Sequence, residues 1–391
     1  MRASGGALLF VLFPMIPMIT MIHMACGTDP GSDGTAASTS GTTAPAGSTG
    51  AADGPTTGAG GSSTADPDAT DTTDMTTATD AATTTETTGG SGSSAGETTG
   101  GDEVVYDPDL DGPWDIVEIA GSVAVGSVDV AVAGFYPGGG PTPGPYPLVV
   151  VAHGFQLPPT QYTGYVRRLA THGYVAVTAD FQAGLFGTDH LANAQQVLAA
   201  IDWAADEPTL EGVVDTGAVG LTGHSLGGKL AVHGAALDPR VRASITLDPV
   251  DGSQMCDAEK CPDVTAMLPL DVPLGFLGET LDGSGGFMPC APEADNFLTF
   301  FAAASAPALA VTVNGANHMS FLDDVAGCGF TCSFCKMPTL DDATVNRLAR
   351  AYVVAFYGLH LKGVAGYETF LTGDAAQTRY VATGLVTLAT K

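Results

Sequence analysis

Basic side chains are scarce in this sequence. The 391-residue chain has 13 Lys and Arg against 42 Asp and Glu, a formal net charge of -29 at pH 7. A surface of that sign repels phosphate backbones and argues against nucleic acid as a partner. Between Gly27 and Glu103 there is no Lys, no Arg and no aromatic residue, and the stretch is almost entirely Thr, Ser, Gly, Ala, Asp and Pro. Such a segment cannot bury enough apolar surface to offset the entropy of ordering. Residues 27–103 therefore read as a disordered linker. The apolar run Ala7–Ile22 contains Pro14 and Pro17 and falls short of the ~20 residues that a spanning helix needs. A second Cys pair at zinc-ribbon spacing is missing as well.

What the N-terminus does have suits export. Arg2 precedes the apolar run, as in a signal peptide. Met24-Ala25-Cys26-Gly27 follows and resembles a bacterial lipoprotein box, with His23 where an aliphatic residue is usual. The expectation is a signal over 1–26, lipidation of Cys26 as a membrane anchor, and an extracellular or cell-envelope location. A flexible tether of the linker's composition would have a reach of roughly 50 Å. Six further cysteines remain: Cys256, Cys261, Cys290, Cys328, Cys332 and Cys335. In an exported chain an even number reads as three disulfides, whose connectivity spacing does not reveal. A zinc cluster at 328–335 is the weaker alternative.

Residues 104–391 suit one α/β domain. Ile116–Ala120 and Val128–Tyr136 read as an opening antiparallel pair of strands. Leu148–Ala152 is a continuous apolar run, the mark of a strand buried on both faces of a parallel sheet. Further strands are expected at Tyr174–Ala179, Val219–Thr222, Ala243–Leu247, Val272–Leu277 and Ala308–Val313. Helical spacing occupies Tyr162–His172, Leu191–Ala205, Leu226–Ala236, Asn296–Ala304 and Asp342–Tyr357. Alternation of this kind predicts a mostly parallel central sheet with helices on both faces.

Gly223-His-Ser225-Leu-Gly227 matches G-x-S-x-G between an expected strand and an expected helix. That context is what a nucleophile elbow requires, and it predicts an α/β-hydrolase fold with Ser225 as nucleophile. The glycines remove side chains where helix and strand must approach closely. The helix N-terminus brings N–H groups and a positive dipole end to the reacting carbonyl. The backbone N–H groups of Leu226 and Phe155 are the candidate oxyanion donors. Phe155 lies in His153-Gly-Phe155, directly after the buried strand. His153 precedes the Ser, whereas the order in this fold is Ser, acid, His. A bracing hydrogen bond is its expected role.

The base should follow a late strand, which selects His318 in Asn314-Gly-Ala-Asn-His318 among eight histidines. Imidazole as a group, with an unperturbed pKa near neutrality, suits proton transfer. His224, next to the nucleophile in a sharp turn, should point elsewhere. Two acids compete: Asp248, after the strand at 243–247, and Asp282, after the strand at 272–277. The usual position in the fold favours Asp282.

The chain resembles plant chlorophyllases and their bacterial relatives. The shared pieces are His153-Gly-Phe155, Thr171-His-Gly-Tyr174, Gly223-His-Ser-Leu-Gly-Gly-Lys229, Leu247-Asp-Pro-Val-Asp-Gly252, Pro289-Cys-Ala-Pro292, His318-Met and Leu322-Asp-Asp324. The resemblance implies Asp248 as the triad acid. The Ser225-to-Asp248 spacing is also similar to that of lipoprotein-associated platelet-activating-factor acetylhydrolases. Gly315-Ala-Asn-His318 is similar to the His loop of cutinases and polyester hydrolases. Chlorophyllases usually carry Arg after the nucleophile, where this chain has Leu226, and the clusters at 256–261 and 328–335 are foreign to the plant pattern. The implied activity is cofactor-independent hydrolysis of a small or lipid-like carboxylic ester, chlorophyllase-like, with a lipase or polyester hydrolase as alternative. A surface binding module on an inactive fold is the non-enzymatic rival. Phe155, Leu157, Met288, Met319 and Phe321 flank the expected site and are candidates for an apolar pocket or for the core.

Overall fold

A computed structural model describes residues 104–182, 189–252, 256–285 and 289–391, the side chains of 329–331 and 333 excepted. The expected signal, Cys26, the linker and Met288 lie outside the described residues. No helix among the described residues is long and apolar enough to cross a membrane.

Among the described residues the sheet has nine strands: β1 Asp115–Val125, β2 Val128–Gly139, β3 Tyr146–Ala152, β4 Val175–Asp180, β5 Val214–Gly223, β6 Val241–Leu247, β7 Leu274–Glu279, β8 Ala308–Val313 and β9 Val386–Thr390. Their spatial order is β1-β2-β4-β3-β5-β6-β7-β8-β9. The pairs from β4 to β8 are parallel, whereas β1 with β2, β2 with β4 and β8 with β9 are antiparallel. The β1–β2 hairpin turns through Gly126, whose φ of +60° suits a residue without a Cβ.

Burial explains the strand sequences. In β3, Leu148, Val150 and Ala152 face one core while Val149 and Val151 face the other. A strand covered on both sides therefore reads as a continuous apolar run. Truncating Val150 to Ala would cost roughly 2–3 kcal/mol in lost burial and cavity. The alternating burial of β2 shows the opposite case, one face covered and one open.

Among the described residues five principal helices cover the sheet: α1 Thr163–Thr171, α2 His190–Asp206, α3 Leu226–Leu237, α4 Phe297–Ala303 and α5 Asp342–His360. Helices α1 and α5 pack on one face through Tyr165, Leu169, Leu348 and Tyr352. On the other face α2 and α3 pack through Ala194, Ile201 and Leu230. Helix α2 starts on an Asp189 cap that accepts from Ala192 N–H, and α5 on an Asp341 cap that accepts from Thr344 N–H. From β3 the chain moves outward to β4, then returns across to β5 on the other side of β3. This reversal is a topological switch point, and the crevice beyond the carboxyl ends of such strands is where ligands bind in open α/β sheets.

Three disulfides join Cys256 to Cys261, Cys290 to Cys335 and Cys328 to Cys332. The sulfurs of the 328–335 run are thus engaged and offer no thiolate to zinc.

Candidate active site

Ser225, Asp248 and His318 each follow the carboxyl end of a parallel strand. Strand β5 ends at Gly223 and α3 begins at Leu226, leaving His224 and Ser225 to make the turn. Ser225 has φ +55° and ψ -119°, a conformation costly for a residue with a side chain. The surroundings hold it there. Ser225 N–H donates to Leu247 O at 3.1 Å and His224 N–H to Ala152 O at 3.2 Å. The glycines are needed for space: a Cβ on Gly223 would lie 2.2 Å from Gly227 O, and one on Gly227 would lie 2.2 Å from Ala152 O.

His318 opens a short 3-10 turn, His318–Phe321, after β8. Asn317 caps it, its side-chain oxygen accepting from Met319 N–H at 3.0 Å. Asp248 follows β6 with φ +43°, and its N–H donates to Leu277 O at 2.7 Å. The three side chains meet. His318 Nδ1 lies 2.6 Å from Asp248 Oδ2, and His318 Nε2 lies 2.9 Å from Ser225 Oγ. A carboxylate only accepts, so Nδ1 carries the imidazole proton and Nε2 faces the hydroxyl as acceptor. Burial pushes the Asp248 carboxyl up from its ordinary range, opposed by the hydrogen bond from His318.

Asp282 hydrogen-bonds to backbone rather than to the His318 ring. Its two oxygens accept from backbone, Oδ2 from His318 N–H at 2.9 Å and Oδ1 from Lys336 N–H at 2.8 Å. It therefore holds the loop that carries the imidazole. Behind it, Glu279 Oε2 accepts from the N–H groups of Asp282, at 2.8 Å, and of Leu281. Burial, reinforced by the nearby Asp248, pushes Glu279 up to about 7.

The candidate oxyanion donors come from adjacent strand ends. Ala152 pairs in register with Gly223, and the next residues outward are His153-Gly-Phe155 and His224-Ser-Leu226. Leu226 is the first residue of α3, so its N–H has no acceptor inside the helix. Gly154 N–H is already taken by Tyr162 Oη at 3.0 Å, which leaves Phe155 as the next donor in the loop. His153 braces that loop as expected. Its ring nitrogens lie 2.8 Å from Gly154 O and 3.1 Å from Phe181 O, and it stacks on Phe181. Of the flanking apolar residues, Leu157, Met319 and Phe321 belong to the buried core and Phe155 is half-buried.

Two features were missed from sequence. Lys229, wholly buried on α3, reaches Asp251 Oδ1 at 2.8 Å and Asp251 O at 2.9 Å, tying the elbow helix to the segment after Asp248. Both residues lie in segments that carry the family resemblance, Gly223–Lys229 and Leu247–Gly252, but neither segment says that it pairs with the other. The other is His224, whose ring sits 4.7 Å from that of His318. Its partners are 62 and 94 residues away in sequence, and no local pattern announces them.

A strained serine between strand and helix, on a mostly parallel sheet covered on both faces, defines an α/β-hydrolase. Within that class the chain belongs to the chlorophyllase family, whose model matches residues 139–375. Chlorophyllase-1 of Arabidopsis thaliana is 28% identical over 245 residues, 56% of this chain and 74% of that protein. Chlorophyllase-2 of the same plant is 26% identical over 246 residues, 56% and 75%. Bis(hydroxyethyl) terephthalate hydrolase of Streptomyces coelicolor is 33% identical over 147 residues, 36% of this chain and 44% of that protein. At the level of class, these relationships support an ester hydrolase.

Proposed function

We propose that the chain is an exported serine esterase that cleaves carboxylic esters through an acyl-enzyme, with Ser225, His318 and Asp248 as its triad. The supporting observation is the continuous hydrogen-bonded line from Asp248 Oδ2 through His318 to Ser225 Oγ, at 2.6 and 2.9 Å. His318 Nε2 takes the hydroxyl proton as Ser225 Oγ bonds to the ester carbonyl carbon. The carbonyl oxygen becomes an oxyanion facing the N–H groups of Phe155 and Leu226, where one donor is typically worth about 3 kcal/mol of barrier. Asp248 stabilises the imidazolium. The tetrahedral intermediate collapses, the alcohol oxygen leaves with the proton from His318, and the acyl group stays on Ser225. Water then loses a proton to His318, attacks the acyl carbon and releases the acid, restoring Ser225. Every proton is returned, so the cycle needs no cofactor.

Kinship favours a chlorophyllase-like ester with a lipid-like alcohol. A terephthalate-type aryl or polyester substrate is the second reading, favoured by the Streptomyces relative and by Leu226 at the position where chlorophyllases usually have Arg. Lipid anchoring at Cys26 and a cell-envelope location complete the proposal, resting on the N-terminal sequence alone. Full-length protein made in an oxidising compartment should release p-nitrophenol from acyl esters, and chlorophyll and bis(hydroxyethyl) terephthalate should be assayed beside them. Turnover of one and not the other decides between the two readings. Folded protein that cleaves none of these esters would bring the inactive binding module forward.

A further inference from the structure

One buried polar chain runs through the site without touching the nucleophile. Gly154 N–H donates to Tyr162 Oη at 3.0 Å, and Tyr162 Oη stands 2.9 Å from His224 Nδ1. His224 Nε2 stands 2.8 Å from the carbonyl oxygen of His318. A carbonyl only accepts, so Nε2 carries the proton, Nδ1 is the acceptor and the Tyr162 hydroxyl donates to it. All bonds point one way, from the loop at 154 to the loop at 318. Tyr162 and His224 are both fully buried. Burial, and next the neighbouring His318, holds His224 well below the ordinary imidazole range, so it stays in this neutral tautomer.

The space around the relay is closed to other arrangements. A Cβ at Gly154 would lie 3.0 Å from His224 Nδ1, 3.2 Å from Tyr162 Oη and 2.8 Å from Leu157 Cδ1. Glycine at 154 thus lets the backbone sit on both relay atoms. The next N–H along that backbone is Phe155, a candidate oxyanion donor. At the far end, His318 is held at three points: its N–H by Asp282, its Nδ1 by Asp248 and its carbonyl by His224.

We propose that Tyr162 and His224 are positioning residues that couple the oxyanion loop to the backbone of the catalytic base, so that the Phe155 donor and the His318 imidazole keep a common frame. The proposal rests on the triad reading given above. It extends that reading by assigning work to two side chains that touch neither substrate nor reacting atoms. Preorganised donors act because they need not reorient as charge develops, and a donor that drifts loses that advantage. Loosening the relay should therefore weaken transition-state binding while leaving ground-state binding almost intact.

The test uses the full chain and Tyr162→Phe, which deletes one hydroxyl and keeps the ring. Tyr357→Phe is the matched control. It deletes a buried hydroxyl 2.7 Å from Thr222 Oγ1 in the same core, away from the relay. For Tyr162→Phe on p-nitrophenyl butyrate, kcat should fall about 10- to 30-fold with KM within about twofold. Affinity for an alkyl boronic acid, which forms a tetrahedral adduct on serine, should fall by a similar factor. Tyr357→Phe should lose thermal stability but keep kcat within about twofold. His224→Phe should exceed the Tyr162→Phe loss; if it fails to fold, the hydroxyl deletion still decides. Equal kcat in the two tyrosine variants would overturn the relay. Ser225→Ala is run alongside: its inactivity with an intact Tyr162→Phe sinks the relay alone, whereas an active Ser225→Ala sinks the triad reading and the relay with it.

Discussion

At the scale of single residues, two acids behind two neighbouring strands divide the support of one histidine. Asp248 meets the ring and Asp282 meets the backbone N–H. Their substitutions should differ in size. Asp248→Asn should lower kcat by about 10⁴, because the amide cannot fix the tautomer or offset the imidazolium. Asp282→Asn keeps one acceptor for two N–H donors and should cost about tenfold to a hundredfold. Steady-state kinetics on one p-nitrophenyl ester checks both, and the reverse ranking would make Asp282 the triad acid. Sequence left this choice open because strand order does not say which carboxylate reaches a ring and which reaches a peptide. The elbow was legible, since its glycines are steric necessities that leave a fixed spacing.

Glu279 carries a pH dependence. Its carboxyl ordinarily titrates near 4.5 and is raised to about 7 in the fold. As pH rises from below the unfolded value, the unfolded chain releases this proton first. Stability from this group is therefore present at low pH and lost as pH rises through about 7. Glu279→Gln has no such proton to lose. Relative to wild type, its melting temperature should rise between pH 5 and pH 8, as calorimetry can measure. A difference unchanged with pH would contradict the shift.

At the scale of elements, the loops after β7 and β8 are fastened to each other. Cys290–Cys335 closes a 45-residue separation, and the Asp282 carboxylate lies within 4.8 Å of both sulfurs. Lys336, next in the chain, donates its N–H to Asp282 and accepts from Asn317 Nδ2 at 2.6 Å. Chain-entropy reasoning gives this bridge about 4 kcal/mol, against about 2 kcal/mol for the short loops closed by Cys256–Cys261 and Cys328–Cys332. The double variant Cys290→Ser/Cys335→Ser should melt earliest of the three bridge deletions and be the one that also loses kcat. Loss of kcat on deleting Cys256–Cys261 instead would contradict the link to the His loop. The six cysteines were legible as disulfides, but their pairing depends on distances that spacing does not encode. Strand β9 was also missed. It is an edge strand of five residues with Val386 buried and Leu388 half-buried against the core, too short for its alternation to stand out. In the region expected to be helical from Tyr162, a 3-10 turn over Pro159–Tyr162 precedes α1, and Tyr162 is thereby turned into the relay.

At the scale of the whole molecule, the switch point between β3 and β5 gathers parts separated by more than 160 residues in the chain. Alternation of strands and helices made this architecture readable, because each parallel strand buried on both faces leaves the same apolar run. The acidic excess sets a different property. The acidic excess continues through residues 104–391, where it opposes compaction through self-repulsion, which salt screens. Raising sodium chloride from 10 to 300 mM should raise the melting temperature, and a flat or falling response would show that repulsion does not limit stability.

The triad is tested most directly by trapping the acyl-enzyme. Full-length protein mixed with p-nitrophenyl butyrate and quenched in acid within the first turnover should carry one butyryl group, found by mass spectrometry on Ser225, and Ser225→Ala should carry none. Turnover at the wild-type rate by Ser225→Ala, or a butyryl group on any other residue, would contradict it.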